Sequence, residues 1–186
     1  VLEPYLPTVL LFGGLINSAG NERQRSDLLP KIIEGDLLGA FAYLERQGRY
    51  ELADVITKAE SHPEGFILDG EKVVVLNGQN ASKLIVSART SGNQFDREGI
   101  SLFLVSVDAD GVDRVSYQMM DGQTVSNFRF NKVSLDPNSL IGSLGEGLEV
   151  IEGVVRTATV AISAEALGIM GELNRKTLEY SKTRKQ

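Results

Sequence analysis

Residues 65–78 read GFILDGEKVVVLNG, from Gly65 to Gly78. Two apolar runs, 66–68 and 73–76, flank Asp69-Gly70, and Asn77-Gly78 closes the second run. β-Branched residues suit a pleated, half-buried surface, and Asp-Gly and Asn-Gly are turn signals. The pattern predicts a strand, a tight hairpin at 69–70, a second strand, and another turn at 77–78. Similar runs recur at 38–44, 53–60, 83–90, 100–107, 112–118 and 125–135, punctuated by Gly, Asp and Asn. This spacing predicts an all-β region, a sandwich or barrel rather than βαβ units.

Helical patterns flank that region. Pro7 to Gly20 carries Val9, Leu10, Phe12, Leu15 and Ile16 at helical spacing. Asn21 with Gln24 three residues on is a capping-box signature for a second helix over about 22–34. Pro30 should kink or reset that helix, and Gly35-Asp36 should end it. On the far side, the glycine-rich run 142–147 leads into one long helical pattern over 148–185. Its apolar positions include Val150, Ile151, Val154, Ala158, Ile162, Leu167, Met170, Leu173 and Leu178. A helix of that span measures about 55 Å, and its stripe needs partner helices. The fold class is therefore an α+β multidomain fragment. Residues 1–36 end a helical domain, 37–141 form the middle β domain, and 142–186 begin a C-terminal helical bundle.

Composition narrows the chemistry. The 186 residues are 42% hydrophobic and 24% charged, with formal net charge −6. No basic block offers the clustered cations that nucleic acid requires. The absence of cysteine removes disulfides, thiolate metal sites and a Cys nucleophile. The single histidine, His62, precedes Pro63 and reads as a turn residue, so no metal site is expected. No apolar run reaches the roughly 18 residues that span a bilayer, and the start lacks a signal-peptide pattern. The expectation is a cytoplasmic protein with no membrane and no nucleic-acid partner.

Three features are candidates for chemistry. The run 142–147 could cradle a phosphate at a helix start, but it lacks the G-x-x-x-x-G-K-[ST] pattern and reads first as a flexible turn. Glu45 is the best acid/base candidate by position, yet a surface carboxylate beside Arg46 and Arg49 is the plainer reading. Arg46, Arg49 and Arg89 could meet an anion, and the plainer reading leaves them solvated.

Several segments, taken in order, resemble the acyl-CoA dehydrogenase family of flavoenzymes. Residues 20–25 (GNERQR), then Leu29-Pro30 and Glu34-Gly35, are similar to G-x-x-E-Q-K, L-P and a final G. Residues 42–60 align without a gap on the segment that carries T-E-P-x-x-G-S-D…T-x-A, with the T-E-P on 44–46, and 69–78 resembles N-G-x-K-x-W-I-T-N-G. Leu140-Ile141-Gly142 with Gly145-Glu146-Gly147-Leu148 is similar to L-I-G-x-x-G-x-G-F, and 180–186 to Y-x-x-x-R-x-Q. The patterns A-x-x-E-x-x-x-R-Y-x-L-A-D-V from Ala42, LIVSARTSG from Leu84 and GISLFLV from Gly99 resemble the pimeloyl-CoA dehydrogenase small-subunit type.

The resemblance implies an FAD-dependent oxidoreductase of fatty acid metabolism that desaturates the Cα–Cβ bond of an acyl-CoA. It implies FAD contacts from Phe41, Tyr43, Leu44, Val74, Val75 and Leu76, and from Arg184 toward a neighbouring subunit's flavin. Gly48, Tyr50 and Arg156 fall where acyl-CoA would pass. The catalytic glutamate is expected beyond Gln186, so this stretch alone should be inactive. Electron-transfer flavoprotein or a similar acceptor, and a homo- or heterotetramer, are the implied partners. Departures stand out: Leu44 and Leu76 replace threonines, Val74 a tryptophan, Tyr50 a serine and Arg46 a proline. Arg156 stands where relatives carry an aspartate, and Thr159 where many carry an arginine. Each lost hydrogen bond costs about 1–3 kcal/mol when its partner stays buried. The alternatives are therefore a non-catalytic subunit with an incomplete flavin site in a heteromeric enzyme, or a related flavin monooxygenase.

Overall fold

The computed structural model describes residues 4–185. Residues 1–3 and Gln186, the last residue of the Y-x-x-x-R-x-Q match, lie outside the described residues.

The chain opens on a π-helix, Tyr5–Gly13, which runs into α1, Gly14–Ala19. Phe12, Leu15 and Ile16 are fully buried. The Thr8 hydroxyl donates to the Gly39 carbonyl (2.8 Å), fastening this helix to the first strand. α2, Glu22–Glu34, starts on the predicted capping box. The Gln24 amide donates to Asn21 Oδ1 (2.8 Å), and the Asn21 amide donates to Gln24 Oε1 (2.9 Å). Gly35 ends it at φ 83°, a left-handed cap that glycine adopts without a Cβ penalty. Contrary to expectation, Pro30 does not reset α2, which continues through it. Ser26, whose carbonyl loses its helical donor, is exposed to water.

Eight strands follow: β1 (Gly39–Ala42), β2 (Lys58–His62), β3 (Gly65–Leu76), β4 (Lys83–Arg89), β5 (Ile100–Ser106), β6 (Val112–Gln118), β7 (Thr124–Leu135) and β8 (Leu140–Ile141). They form one mixed sheet in the order β6-β7-β3-β2-β4-β5-β8, with β1 also parallel to β4. Two sequence expectations fail here. Asp69-Gly70 is not a hairpin, because β3 runs through it as a single strand whose pairing with β7 shifts register between Leu68 and Gly70. Gly70 sits at φ 146° against Thr57, where an added Cβ would lie 2.6 Å from the Thr57 hydroxyl. The extra residue of this bulge lies on β7, where Asn131 and Lys132 face Asp69 and Lys132 takes φ 50°. The hairpin lies earlier, where His62 pairs with Gly65 across Pro63-Glu64. Residues 53–57 are also not strand; β2 starts at Lys58. The turn expected at Asn77-Gly78 is present, with the Gly78 amide donating to the Val75 carbonyl (3.1 Å).

The sheet separates two cores, as strand alternation requires. Ala40, Ala42, Leu84, Val86 and Ala88 from β1 and β4 share one cluster with Leu68, Val75, Phe128, Phe130 and Val133 from β3 and β7. The sheet thus folds over upon itself. On its other face, Phe41, Ile85, Ile100 and Leu102 pack on Phe12, Leu15, Leu28, Leu148, Ile151 and Val154 of the helices.

The glycine-rich run is a turn into α3, with Gly142 at φ 75° and Gly145 at φ 81°. α3, Gly147–Thr183, has 37 residues. Its first turns are docked, but Leu167, Ile169, Met170, Leu173 and Leu178 are each more than half exposed. By length and composition alone it is, among the described residues, the one helix that could cross a membrane, with mean hydropathy 1.3 over 18 residues. Arg156 and Glu165 lie along it, charges that a hydrocarbon slab disfavours.

Candidate functional site

Two segments meet at the edge of β3. The Val73 amide donates to the Leu44 carbonyl (2.8 Å), so the chain leaving β1 runs beside the second half of β3. Val74 has φ 52°, a left-handed conformation that is a true outlier for a β-branched residue. Its amide donates to Asn127 Oδ1 (3.0 Å), and the pairing of β3 with β7 shifts between Lys72 and Val75. Such bulges re-aim side chains. Tyr43, Leu44, Val74 and Leu76 are half-buried, while Phe41 and Val75 turn into the two cores. Phe41 and Tyr43 stack at 5.0 Å between ring centroids. Burial raises the Tyr43 phenol above its usual value. Leu76 borders a cleft of about 330 Å³ whose other walls include Leu6 and Leu10 of the π-helix and Ala161, Ile162 and Glu165 of α3. That volume reaches the small end of ligand sites.

Behind this surface lies an ion pair that sequence reasoning missed. Lys72 Nζ donates to Glu45 Oε1 (2.7 Å), with the two side chains 0% and 2% exposed. The ammonium also donates to the Tyr43 carbonyl (3.2 Å) and to Ser87 Oγ (3.1 Å). The carboxylate accepts further bonds from the Thr57 amide (3.0 Å), the Ile56 amide (2.9 Å) and Gln47 Nε2 (2.9 Å). Burial raises the Glu45 carboxyl, but the Lys72 charge and the donors from Lys72, Gln47 and Ile56 outweigh it, so the net direction is down. Burial pulls the Lys72 ammonium down to about 8 against the opposing pull of Glu45. The pair is therefore ionised at neutral pH, and Glu45 is neither a surface carboxylate nor a free base. The signal for Lys72 was present in the sequence: in a strand it shares a face with Leu68, which is buried. Its partner, 27 residues away, carried no local signal.

The other candidates are dispersed. Arg89 is not solvated; it is 6% exposed and donates to the carbonyls of Ala53, Gln94, Asp96 and Glu98, stapling the loops. Arg46 forms a bidentate surface pair with Glu71 (2.7 and 3.1 Å). Its cleft of about 730 Å³ also holds Lys58, Asp69 and Arg129. Gly48 closes a turn on the Glu45 carbonyl (3.1 Å), and Tyr50 is 98% exposed. Arg156 is exposed on α3. Arg184 caps the far end of α3, its guanidinium 5.9 Å from the Tyr180 ring centroid. It stands 26 residues beyond Ala158, the last buried position, or about 39 Å along the axis. No group of three or more His, Cys, Asp or Glu able to hold a metal occurs among the described residues.

The family of the acyl-CoA dehydrogenase middle domain matches residues 40–133, half of the chain. The chain belongs to the acyl-CoA dehydrogenase family. It is 29% identical over 170 residues to an acyl-CoA dehydrogenase of Bacillus subtilis, covering 90% of this chain and 45% of that protein. It is 28% identical over 187 residues to the short-chain-specific acyl-CoA dehydrogenase of Megasphaera elsdenii, covering 96% and 48%. Among solved structures, butyryl-CoA dehydrogenase from Megasphaera elsdenii superposes with a TM-score of 0.91 at 26% identity, covering 97% of this chain and 48% of that one. The chain thus spans about half the length of the relatives it matches. In this acyl-CoA dehydrogenase fold fragment, the mixed sheet is the middle domain and α3 is the long helix that follows it.

Proposed function

We propose that this chain is part of a subunit of an FAD-dependent acyl-CoA dehydrogenase, and that segments 43–45 and 73–76 form a wall against the flavin ring. The observation that carries the reading is the Val73–Leu44 bond, which sets the half-buried apolar side chains of Leu44, Val74 and Leu76 on adjoining segments. A flat apolar ring system fits such a surface, and the adjoining cleft beside Leu76 opens toward α3. When bound, FAD supplies a hydride acceptor for desaturation of an acyl-CoA between its α and β carbons. Leu44, Val74 and Leu76 exclude water from the ring face, and main-chain groups of the two segments hold its polar edge. Glu45, saturated by Lys72 and two amides, removes no proton. We assign the base to a residue outside 1–186.

The division at residues 36 and 141, the acyl-CoA path past Gly48, Tyr50 and Arg156, and a flavin contact from Arg184 to a neighbouring subunit belong to the same proposal. So do an electron-transfer flavoprotein acceptor and a tetramer, which would cover the apolar residues of α3. A second reading has its own support. Leu44, Val74 and Leu76 offer the ring no hydroxyl or indole, as expected of a subunit of the pimeloyl-CoA small-subunit type whose flavin site is completed by a partner.

The visible spectrum of the full-length subunit tests both. Bound yellow flavin, bleached by an acyl-CoA and restored by an electron acceptor, supports the first reading. A colourless subunit that turns yellow only with a partner subunit supports the second. A protein colourless in both states contradicts the proposal.

A further inference from the structure

Leu44 and Val73 are each flanked by one member of the buried pair: Glu45 follows Leu44, and Lys72 precedes Val73. The pair therefore brackets the bond that joins the two segments. The ammonium reaches back to the Tyr43 carbonyl and down to Ser87 of β4, while the carboxylate holds the Ile56 and Thr57 amides. Four separate stretches of chain meet on two side chains. Both of these side chains are buried, whereas Leu44 is half-buried. A carbonyl fixed by an ammonium cannot rotate without breaking a charge-assisted bond in a dry interior. An apolar pair would fill the same volume at similar or lower cost, so stability alone gives no reason for charges here.

We infer that Glu45 and Lys72 are a positioning pair that fixes the main chain of 43–45 against 73–74, and thereby the surface offered to the flavin. This inference rests on the flavin-wall reading and adds a role to residues that touch no ligand. Neither side chain is a catalytic residue.

The test uses the full-length protein, with its partner subunit if one is required for colour. The variant E45Q/K72M removes both charges, keeps the side-chain volumes and leaves an amide oxygen for one of the two backbone donors. The expected result is a melting temperature close to that of the parent. FAD affinity should fall by about tenfold, with a broadened flavin absorption band and about tenfold faster exchange of the Val73 amide proton. The variant K72R keeps the charge in a different geometry and should show the same losses in milder form, so the test survives a double variant that does not fold. Unchanged FAD affinity, flavin band shape and Val73 exchange in whichever variant folds overturn the inference while leaving the flavin reading intact. A parent protein that takes up no FAD in any assembly overturns both.

Discussion

Val74 gives the sharpest prediction. It holds φ at 52° in the middle of β3, at the register shift that shapes the proposed wall. An L-residue in this conformation costs about 1–2 kcal/mol. Replacing Val74 by Ala or by Gly removes both Cγ methyls, so the burial lost with them cancels between the two variants. Alanine keeps its Cβ and the associated cost, whereas glycine does not. Glycine loses about 0.4–1 kcal/mol through the greater freedom of the unfolded chain. The balance leaves V74G more stable than V74A by roughly 0.5–1 kcal/mol. At an ordinary strand position the order reverses, with glycine worse by about 0.5–1 kcal/mol. Val115 on β6, 66% exposed, provides that control. Urea unfolding of V74A, V74G, V115A and V115G reads the four midpoints, compared at equal m. If V74G falls below V74A by the margin that separates V115G from V115A, the strain argument is refuted.

Other outcomes follow from the same geometry. G70A should destabilise by about 2 kcal/mol or more, because the new Cβ would lie 2.7 Å from the Thr57 Cα at φ 146°; a melting temperature within a degree or so of the parent would count against the tight packing. The Glu45 carboxyl is lowered in the fold, so below its ordinary value the unfolded chain binds more protons, and stability is lost as pH falls through the folded value. Lys72 is lowered to about 8, so the unfolded chain also binds more protons between that value and its ordinary 10.5, and its contribution rises with pH there. Melting temperatures from about pH 3 to about pH 10 should show both slopes flattened in E45Q/K72M; parallel curves would contradict the ionised pair. Residues 1–186 expressed alone should self-associate through α3. Light scattering should then report a return toward monomer in L167E/M170E/L173E, and a monomer without those changes would contradict the need for a covering partner.

Much of the scaffold could be read from local chemistry. The capping box at Asn21 and Gln24, the left-handed stop at Gly35 and the unbroken periodicity of α3 depend on neighbours three or four residues apart. The errors arose where two structures share one local code. Asp69-Gly70 fits a hairpin turn or the interior of a strand, and pairing with β7 on both sides of it decides between them. Residues 53–57 carry strand-like side chains but are held as a loop by Glu45 and Arg89 from other segments. The site was less legible for the same reason. Glu45 reads as a surface residue until Lys72 is brought to it across the sheet. The strain at Val74 depends on Asn127, 53 residues further on.

Hydrogen exchange of the full-length protein, with and without FAD, tests the wall most directly. FAD should slow exchange of the amides in 43–45 and 74–76 above all others in the sheet, with β6 unchanged. Protection that appears elsewhere and spares both segments would contradict it.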